Sequence, residues 1–191
     1  FGLYDETLPP LPFAKPARYR SGDQLHIRAA LDYYEEPLKS QLFAYLGSYD
    51  GSEKRTELPR TGEYEKDELG TAQGNWFKTS EGYADPEDDH LSLTPYNVHS
   101  GKATASFGQS SGLSHAESGF YPFTVTESGR INRPFKEITN DGLIYCIDLD
   151  GLYYFIRVYS SEILWIEQHI GTPDNDPDNW GFSDQKKIFY R

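Results

Sequence analysis

From Gly74 onward the sequence alternates between apolar and polar residues, and this pattern limits the chain to a small set of folds. A period of two places successive side chains on opposite faces of a β-strand. Turn signals such as Asn140-Asp141-Gly142 and Ser128-Gly129 separate the alternating segments. The predicted strands are 75–79, 90–94, 103–107, 121–126, 143–149, 153–159, 163–169 and 186–191.

The short connections between the last predicted strands are those of antiparallel hairpins. Fifteen Tyr and eleven Phe favour half-buried pleated surfaces, and seventeen Gly with twelve Pro imply many turns. The chain is therefore predicted to be all-β. It should form an eight-stranded antiparallel barrel or a two-sheet sandwich over residues 71–191.

Two further regions precede the predicted barrel domain. Residues 1–30 carry several prolines and are predicted to be an extended arm with an edge strand at 24–28. Residues 31–70 are predicted to contain one helix followed by a charged, turn-rich loop.

The helix is predicted over 37–46. Its expected apolar face carries Leu38, Leu42 and Leu46 at helical spacing, and Gly47 offers a left-handed C-terminal cap. We expect it to be the only helix longer than two turns and to pack on the sheet through these three leucines.

Charge and composition limit the classes of partner. The formal net charge of −12 disfavours nucleic acid, and no apolar run approaches the roughly twenty residues of a membrane helix. Cys146 is the single cysteine, so no internal disulfide can form, and its apolar neighbours predict a buried thiol. The chain contains no Met, and we expect it to be a processed product or part of a longer protein.

The segment Gly74-Asn75-Trp76 resembles the Gly-x-Trp motif that opens the first strand of lipocalins. In that family an Arg on the last strand covers the Trp ring, and Arg191 lies on the last predicted strand. The resemblance implies a buried Trp76 with Arg191 stacked on it. It also implies the lipocalin alternative for function, a small-ligand carrier that uses the barrel interior.

Other segments resemble a group of uncharacterised bacterial proteins, among them Leu31 to Lys39, Gly70 to Phe77, Asp88 to Leu93 and Arg130 to Phe135. In those proteins the region follows a domain resembling lysostaphin-type zinc endopeptidases. The resemblance implies a non-catalytic accessory or binding domain of a secreted or envelope protein. Its expected location is extracytoplasmic, and its expected partner is the upstream domain or a cell-envelope component.

The clustered aromatic residues of the last strands could bind a small apolar or flat ligand by stacking. The predicted ligand-binding residues are Tyr145, Tyr154 and Trp165. The alternative is that these side chains simply fill the core.

Asp174, Asp176 and Asp178 alternate in a loop, and such carboxylates can wrap calcium. An EF-hand would need Gly at position six and Glu at position twelve, where this chain has Asn179 and Gln185. A solvated acidic turn is therefore expected and no cofactor is predicted, with a calcium loop as the alternative.

The segment 108–112 matches the Gly-x-Ser-x-Gly nucleophile elbow, which places Ser110 between a strand and a helix. The residues that follow are too few and too glycine-bounded to form that helix. No catalytic residue is predicted, and a hydrolase using this serine loop is the alternative.

Overall fold

The computed structural model describes residues 3–19, 22–48, 50–64, 66–81, 90–113, 119–149 and 151–191. The strands in these ranges are β1 Leu3–Tyr4, β2 Ile27–Arg28, β3 Gly74–Phe77, β4 His90–Pro95, β5 Lys102–Phe107, β6 Gly119–Thr124, β7 Tyr145–Asp148, β8 Leu152–Ser160, β9 Ile163–Ile170 and β10 Lys187–Tyr190. The helices are α1 Gly22–Leu25 and α2 Leu38–Phe43, with short 3₁₀ helices at Pro16–Arg18, Ala30–Tyr33, Phe135–Glu137 and Pro177–Asn179. None of the helices in these ranges has the length and apolarity needed to cross a bilayer.

Strands β3 to β10 form one antiparallel sheet in the order β6-β5-β4-β3-β10-β9-β8-β7. The first strand of the sheet therefore pairs with the last, with Phe77 opposite Tyr190. The sheet curls into a nearly closed eight-stranded barrel, which confirms the predicted fold class. Each of the eight predicted strands corresponds to one of β3 to β10.

The barrel interior is filled by the inward-facing member of each alternating pair. Its largest fully buried side chains include Trp76 on β3, Tyr154 on β8 and Phe189 on β10. Phe135 and Ile138, from the connection between β6 and β7, join the same core cluster, and the Phe135 ring meets the Phe123 ring edge-on. Core filling, the alternative raised for the aromatic strands, therefore accounts for much of the interior.

The predicted packing of Trp76 against Arg191 is confirmed. Trp76 is 0% exposed, and its Nε1 donates to the Ala72 carbonyl at 2.8 Å. The Arg191 guanidinium lies 4.1 Å from the centre of the Trp76 ring and donates to the carbonyls of Glu68 and Gln73. A buried guanidinium is stabilised by the ring face and the two carbonyls. This contact ties the C-terminal residue to the start of β3.

Gly74 is required where β3 begins. Its φ of +121° lies in a region that L side chains avoid, and an added Cβ would lie 2.3 Å from Oδ1 of Asp67. That Oδ1 accepts the Asn75 N–H at 2.7 Å, and Oδ2 of the same carboxylate accepts the Ala14 N–H at 2.9 Å. Asp67, in the region predicted as a solvated loop, thus accepts hydrogen bonds from the backbone of both the barrel and the arm.

The N-terminal arm covers the outer face of β3. Its strands β1 and β2 pair with each other, and the rings of Phe13, Tyr19 and Phe77 form a chain of contacts of 4.4 and 5.9 Å. Arg18 is buried over the Phe77 ring at 4.7 Å and donates to the Thr79 carbonyl at 2.7 Å. The arm therefore excludes water from an apolar patch outside the barrel.

The helix prediction was wrong in length and in packing. Helix α2 has six residues, Leu38 is 45% exposed, and Leu42 and Leu46 are only half-buried. The main neighbour of the helix is the 3₁₀ helix Ala30–Tyr33 and not the barrel sheet. Gly47 forms a β-bridge with Lys54, and its missing Cβ leaves room for the Glu53 carbonyl. Gly47 therefore serves a close backbone approach and not a left-handed cap.

A second apolar cluster lies on the outer face of β7 and β8, formed by Cys146, Phe155 and Trp180. The Trp180 ring stacks on Phe155 at 5.1 Å and carries the connection between β9 and β10 onto the sheet. Burial raises the pKa of the Cys146 thiol to about 12. The expectation of a buried cysteine is confirmed.

Candidate functional site

The barrel is left open between β6 and β7, and we call this gap the seam. The two strands do not pair, and the segment 130–132 lies along β7 instead. The Cys146 N–H donates to the Arg130 carbonyl, and the Asn132 N–H donates to the Cys146 carbonyl, both at 2.8 Å. The edge of β7 is therefore satisfied by a connecting segment and not by β6.

Asn132 continues this pairing with its side chain. Its Oδ1 accepts the Asp148 N–H at 2.8 Å, and its Nδ2 donates to the Asp148 carbonyl at 3.5 Å. Asn132 has a φ of +54° and is the one non-glycine residue in the described ranges with a positive φ. Asn tolerates this left-handed conformation better than most residues. The side-chain amide thus replaces a strand residue and holds Asp148 in place.

Beside this bridge lies a cleft of about 540 Å³, which we call the seam cleft. One wall is strand β6, and the other is the Asn132 bridge with the end of β7. Its lining residues are Lys102, Tyr121, Pro122, Phe123, Thr124, Asn132, Asp148 and Leu149. Clefts of this volume, with apolar walls and a few polar groups, are typical of small-molecule sites.

The apolar part of the seam cleft continues into the barrel core. Phe123 belongs to the core cluster, and Tyr121 and Leu149 pack against it. The Tyr121 ring centre lies 5.9 Å from that of Phe107, which stacks on Tyr154 at 4.7 Å. A ligand in the cleft would therefore meet an aromatic surface on its inner side and solvent on its outer side.

Tyr154, behind this aromatic surface, is an unusual core residue. It is 0% exposed, and its hydroxyl has no hydrogen-bond partner among the described residues. Burial raises the pKa of Tyr154, since an ionised phenol would lose its hydration inside the barrel. An unsatisfied buried hydroxyl lowers the stability of the folded state.

The charged groups of the cleft differ in how far they are neutralised. Lys102 Nζ lies 2.9 Å from Glu53 Oε1, and this hydrogen bond raises the pKa of Lys102. The half-buried Asp148 carboxylate forms no ion pair within the part of the chain that the structure describes. The cleft therefore carries one compensated cation and one uncompensated anion.

The three residues predicted to bind a ligand do not converge on one site. Tyr145 and Tyr154 face the barrel interior, whereas Trp165 lies on the outer face, stacked on Tyr159 at 4.7 Å. The Tyr145 hydroxyl donates to Asp141 at 2.7 Å, and burial with this hydrogen bond raises the pKa of Tyr145 to about 12. Tyr121, which lines the seam cleft, was not among the predicted residues.

The three aspartates of the predicted calcium alternative shape their own loop. Asp174 accepts the Asp176 N–H at 2.8 Å, Asp176 accepts the Asp178 N–H at 3.1 Å, and Asp178 pairs with Arg130 at 2.5 Å. These successive turns lead into the 3₁₀ helix Pro177–Asn179. In the ranges that the structure describes, no group of three or more His, Cys, Asp or Glu side chains is placed to hold a metal ion.

The serine loop at 108–112 forms a turn after β5. Ser110 is exposed, whereas Ser111 is buried and its Oγ accepts the Leu113 N–H at 3.2 Å. Residues 108–113 contain no helix, and residues 114–118, with His115, lie outside the described ranges. The described part of this loop lacks the helix amides that an elbow uses to bind an oxyanion.

Sequence reasoning missed Lys102, Asn132 and Asp148 as cleft residues, although one signal was present. Pro122 interrupts the predicted strand 121–126, and proline within a strand indicates a free edge. That signal could have located the open side of the barrel. The residues opposite it could not be found in this way, because the connection that brings Asn132 to β7 has no periodic pattern.

Comparison with known proteins adds no family or function, since no protein-family model, no curated protein and no solved structure matches this chain.

Proposed function

We propose that this chain is a non-catalytic β-barrel module that binds a small, partly apolar ligand in the seam cleft. The observation that carries the proposal is the cleft itself, a space of about 540 Å³ at the gap between the edge strands β6 and β7. Its inner wall offers Tyr121, Phe123 and Leu149. Its rim offers the polar groups of Thr124, Asn132 and Asp148, which would orient the ligand.

A small molecule suits this edge better than a strand from a protein partner. The Val125 N–H donates to Gly101 on the β5 side, so the alternation of an antiparallel pair turns the nitrogens of Pro122 and Thr124 toward the seam. Pro122 has no N–H to donate, and proline on a free edge discourages strand addition. On the β7 side, Asn132 already occupies the backbone groups of Asp148.

The experiment measures binding of the neutral apolar dye N-phenyl-1-naphthylamine by its fluorescence. We expect saturable binding with one site per chain. Thr124→Trp, which places an indole in the cleft from an exposed position, should abolish that binding. Thr172→Trp, at an exposed residue that follows β9 outside the cleft lining, is the matched control and should bind like the wild type.

Two results would overturn the proposal. One is the absence of saturable dye binding to the folded wild type. The other is equal binding to the wild type and to a folded Thr124→Trp variant. Circular dichroism on both variants establishes that a loss of binding is not a loss of fold.

A further inference from the structure

We infer that the seam cleft selects positively charged amphiphiles, with the cationic group at the Asp148 carboxylate and the apolar chain against Tyr121, Phe123 and Leu149. This inference rests on the proposed function, because it assigns a ligand class to the same cleft. It concerns the charge of the ligand, which the shape of the cleft does not determine.

The two charged side chains that line the cleft are unequally neutralised. The lining residues with charged side chains are Lys102 and Asp148. The ammonium of Lys102 forms an ion pair with the Glu53 carboxylate at 2.9 Å. The arginines on either side of Asn132 also have partners, since Arg130 pairs with Asp178 and Arg133 pairs with Glu137. Within the described part of the molecule, the carboxylate of Asp148 therefore forms no ion pair at the cleft.

The backbone of Asp148 is held in position before any ligand arrives. Asn132 fixes both its N–H and its carbonyl, and strand β7 fixes the residues before it. A carboxylate on a rigid backbone loses less entropy on binding than one on a mobile loop. Because Asp148 is half-buried, its interaction with a bound cation is less screened than at the open surface.

The inner wall of the cleft and the net charge of the chain also favour a cationic amphiphile. A tyrosine ring such as that of Tyr121 attracts a cation at its face, and the neighbouring apolar residues accept an alkyl chain. The net charge of −12 raises the local concentration of cations and repels anions. An anionic ligand would instead meet Asp148 as a like charge and compete with Glu53 for Lys102.

The test compares three ligands with the same alkyl chain, namely octylamine, octanol and octanoate, by displacement of N-phenyl-1-naphthylamine at pH 7. We expect the affinity for octylamine to be at least about tenfold higher than that for octanoate, with the affinity for octanol between the two. Asp148→Asn keeps the shape of the side chain and should remove most of the preference for octylamine over octanoate. Asp184→Asn removes an exposed carboxylate elsewhere and should keep the preference.

Wild-type protein gives an independent measurement if Asp148→Asn does not fold. The preference for octylamine over octanoate should shrink on raising NaCl from 20 mM to 500 mM, whereas octanol affinity should not fall. Equal affinities for octylamine and octanoate, or an unchanged preference in Asp148→Asn, would overturn the inference while octanol binding upheld the cleft. Failure of the dye and of all three ligands to bind would overturn the proposed function as well.

Discussion

Replacing Gly74 with Ala should destabilise the barrel more than any other glycine substitution with a similar backbone conformation. The φ of +121° costs an L residue about 1–3 kcal/mol. The new Cβ would also lie 2.3 Å from Asp67 Oδ1 and 3.0 Å from an Arg191 guanidinium nitrogen, so Asp67 must move. Losing one hydrogen bond to that carboxylate costs about 1.5–3 kcal/mol more. We therefore expect Gly74→Ala to lower the free energy of unfolding by about 3–5 kcal/mol.

Gly70→Ala is the matched control because Gly70 has a φ of +81° and no atom within 4 Å of an added Cβ. It should cost only the backbone strain, about 1–2 kcal/mol. Urea unfolding followed by circular dichroism gives both values from the midpoint at constant slope. If Gly74→Ala costs no more stability than Gly70→Ala, then Gly74 is not needed for the close approach of Asp67.

Three further predictions concern single side chains. Tyr154→Phe removes a hydroxyl that has no partner among the described residues and should raise the free energy of unfolding by about 1 kcal/mol. Tyr145→Phe loses the hydrogen bond to Asp141 and should lower the free energy of unfolding by about 1 kcal/mol. Urea titration measures both values, and a destabilised Tyr154→Phe would mean that the Tyr154 hydroxyl has a partner. Burial raises the pKa of Cys146 from 9.0 to about 12, so its contribution to stability is fully present below pH 9 and is lost as pH rises toward 12. Between pH 8 and 10.5 the free energy of unfolding should therefore fall by about 2 kcal/mol more in wild type than in Cys146→Ala. Equal falls would show that the thiol is not protected. Leu42→Ala should lower the free energy of unfolding by only about 1 kcal/mol in the same urea assay, because the side chain is half-buried. A decrease above about 3 kcal/mol would mean that α2 packs more tightly than the structure shows.

The strands of the barrel could be predicted from the sequence because the period-two signal is local. Each strand needs only alternation over a few residues and a turn signal at its end, as at Asn140 to Gly142. The contact between Trp76 and Arg191 was also predicted, although the residues are far apart in sequence. A resemblance supplied that pair, and the pairing of β3 with β10 places the two residues together.

The helix and the aromatic residues show where local patterns stop being informative. The leucine spacing of 38–46 is helical, but only six residues form the helix, because spacing does not say whether a surface is available to bury it. The segment Leu164-Trp165-Ile166 is apolar on both faces of β9. Its pattern therefore could not say that Trp165 faces outward, and the ring's contact with Phe182, 5.9 Å away across the fold, became known only from the structure.

Local alternation in the sequence was enough to predict an all-β chain and the segments that form its strands, and a resemblance added the contact of Arg191 with Trp76. The choice of a barrel over a sandwich, the place where the barrel stays open and the side chains that line the opening became clear from the three-dimensional arrangement of the strands. The position of the seam depends on Asn132, which reaches Asp148 from an irregular connection with a left-handed backbone. Such a contact leaves no periodic trace in the sequence, because it is set by the path of the chain through space and not by the alternation of neighbouring residues.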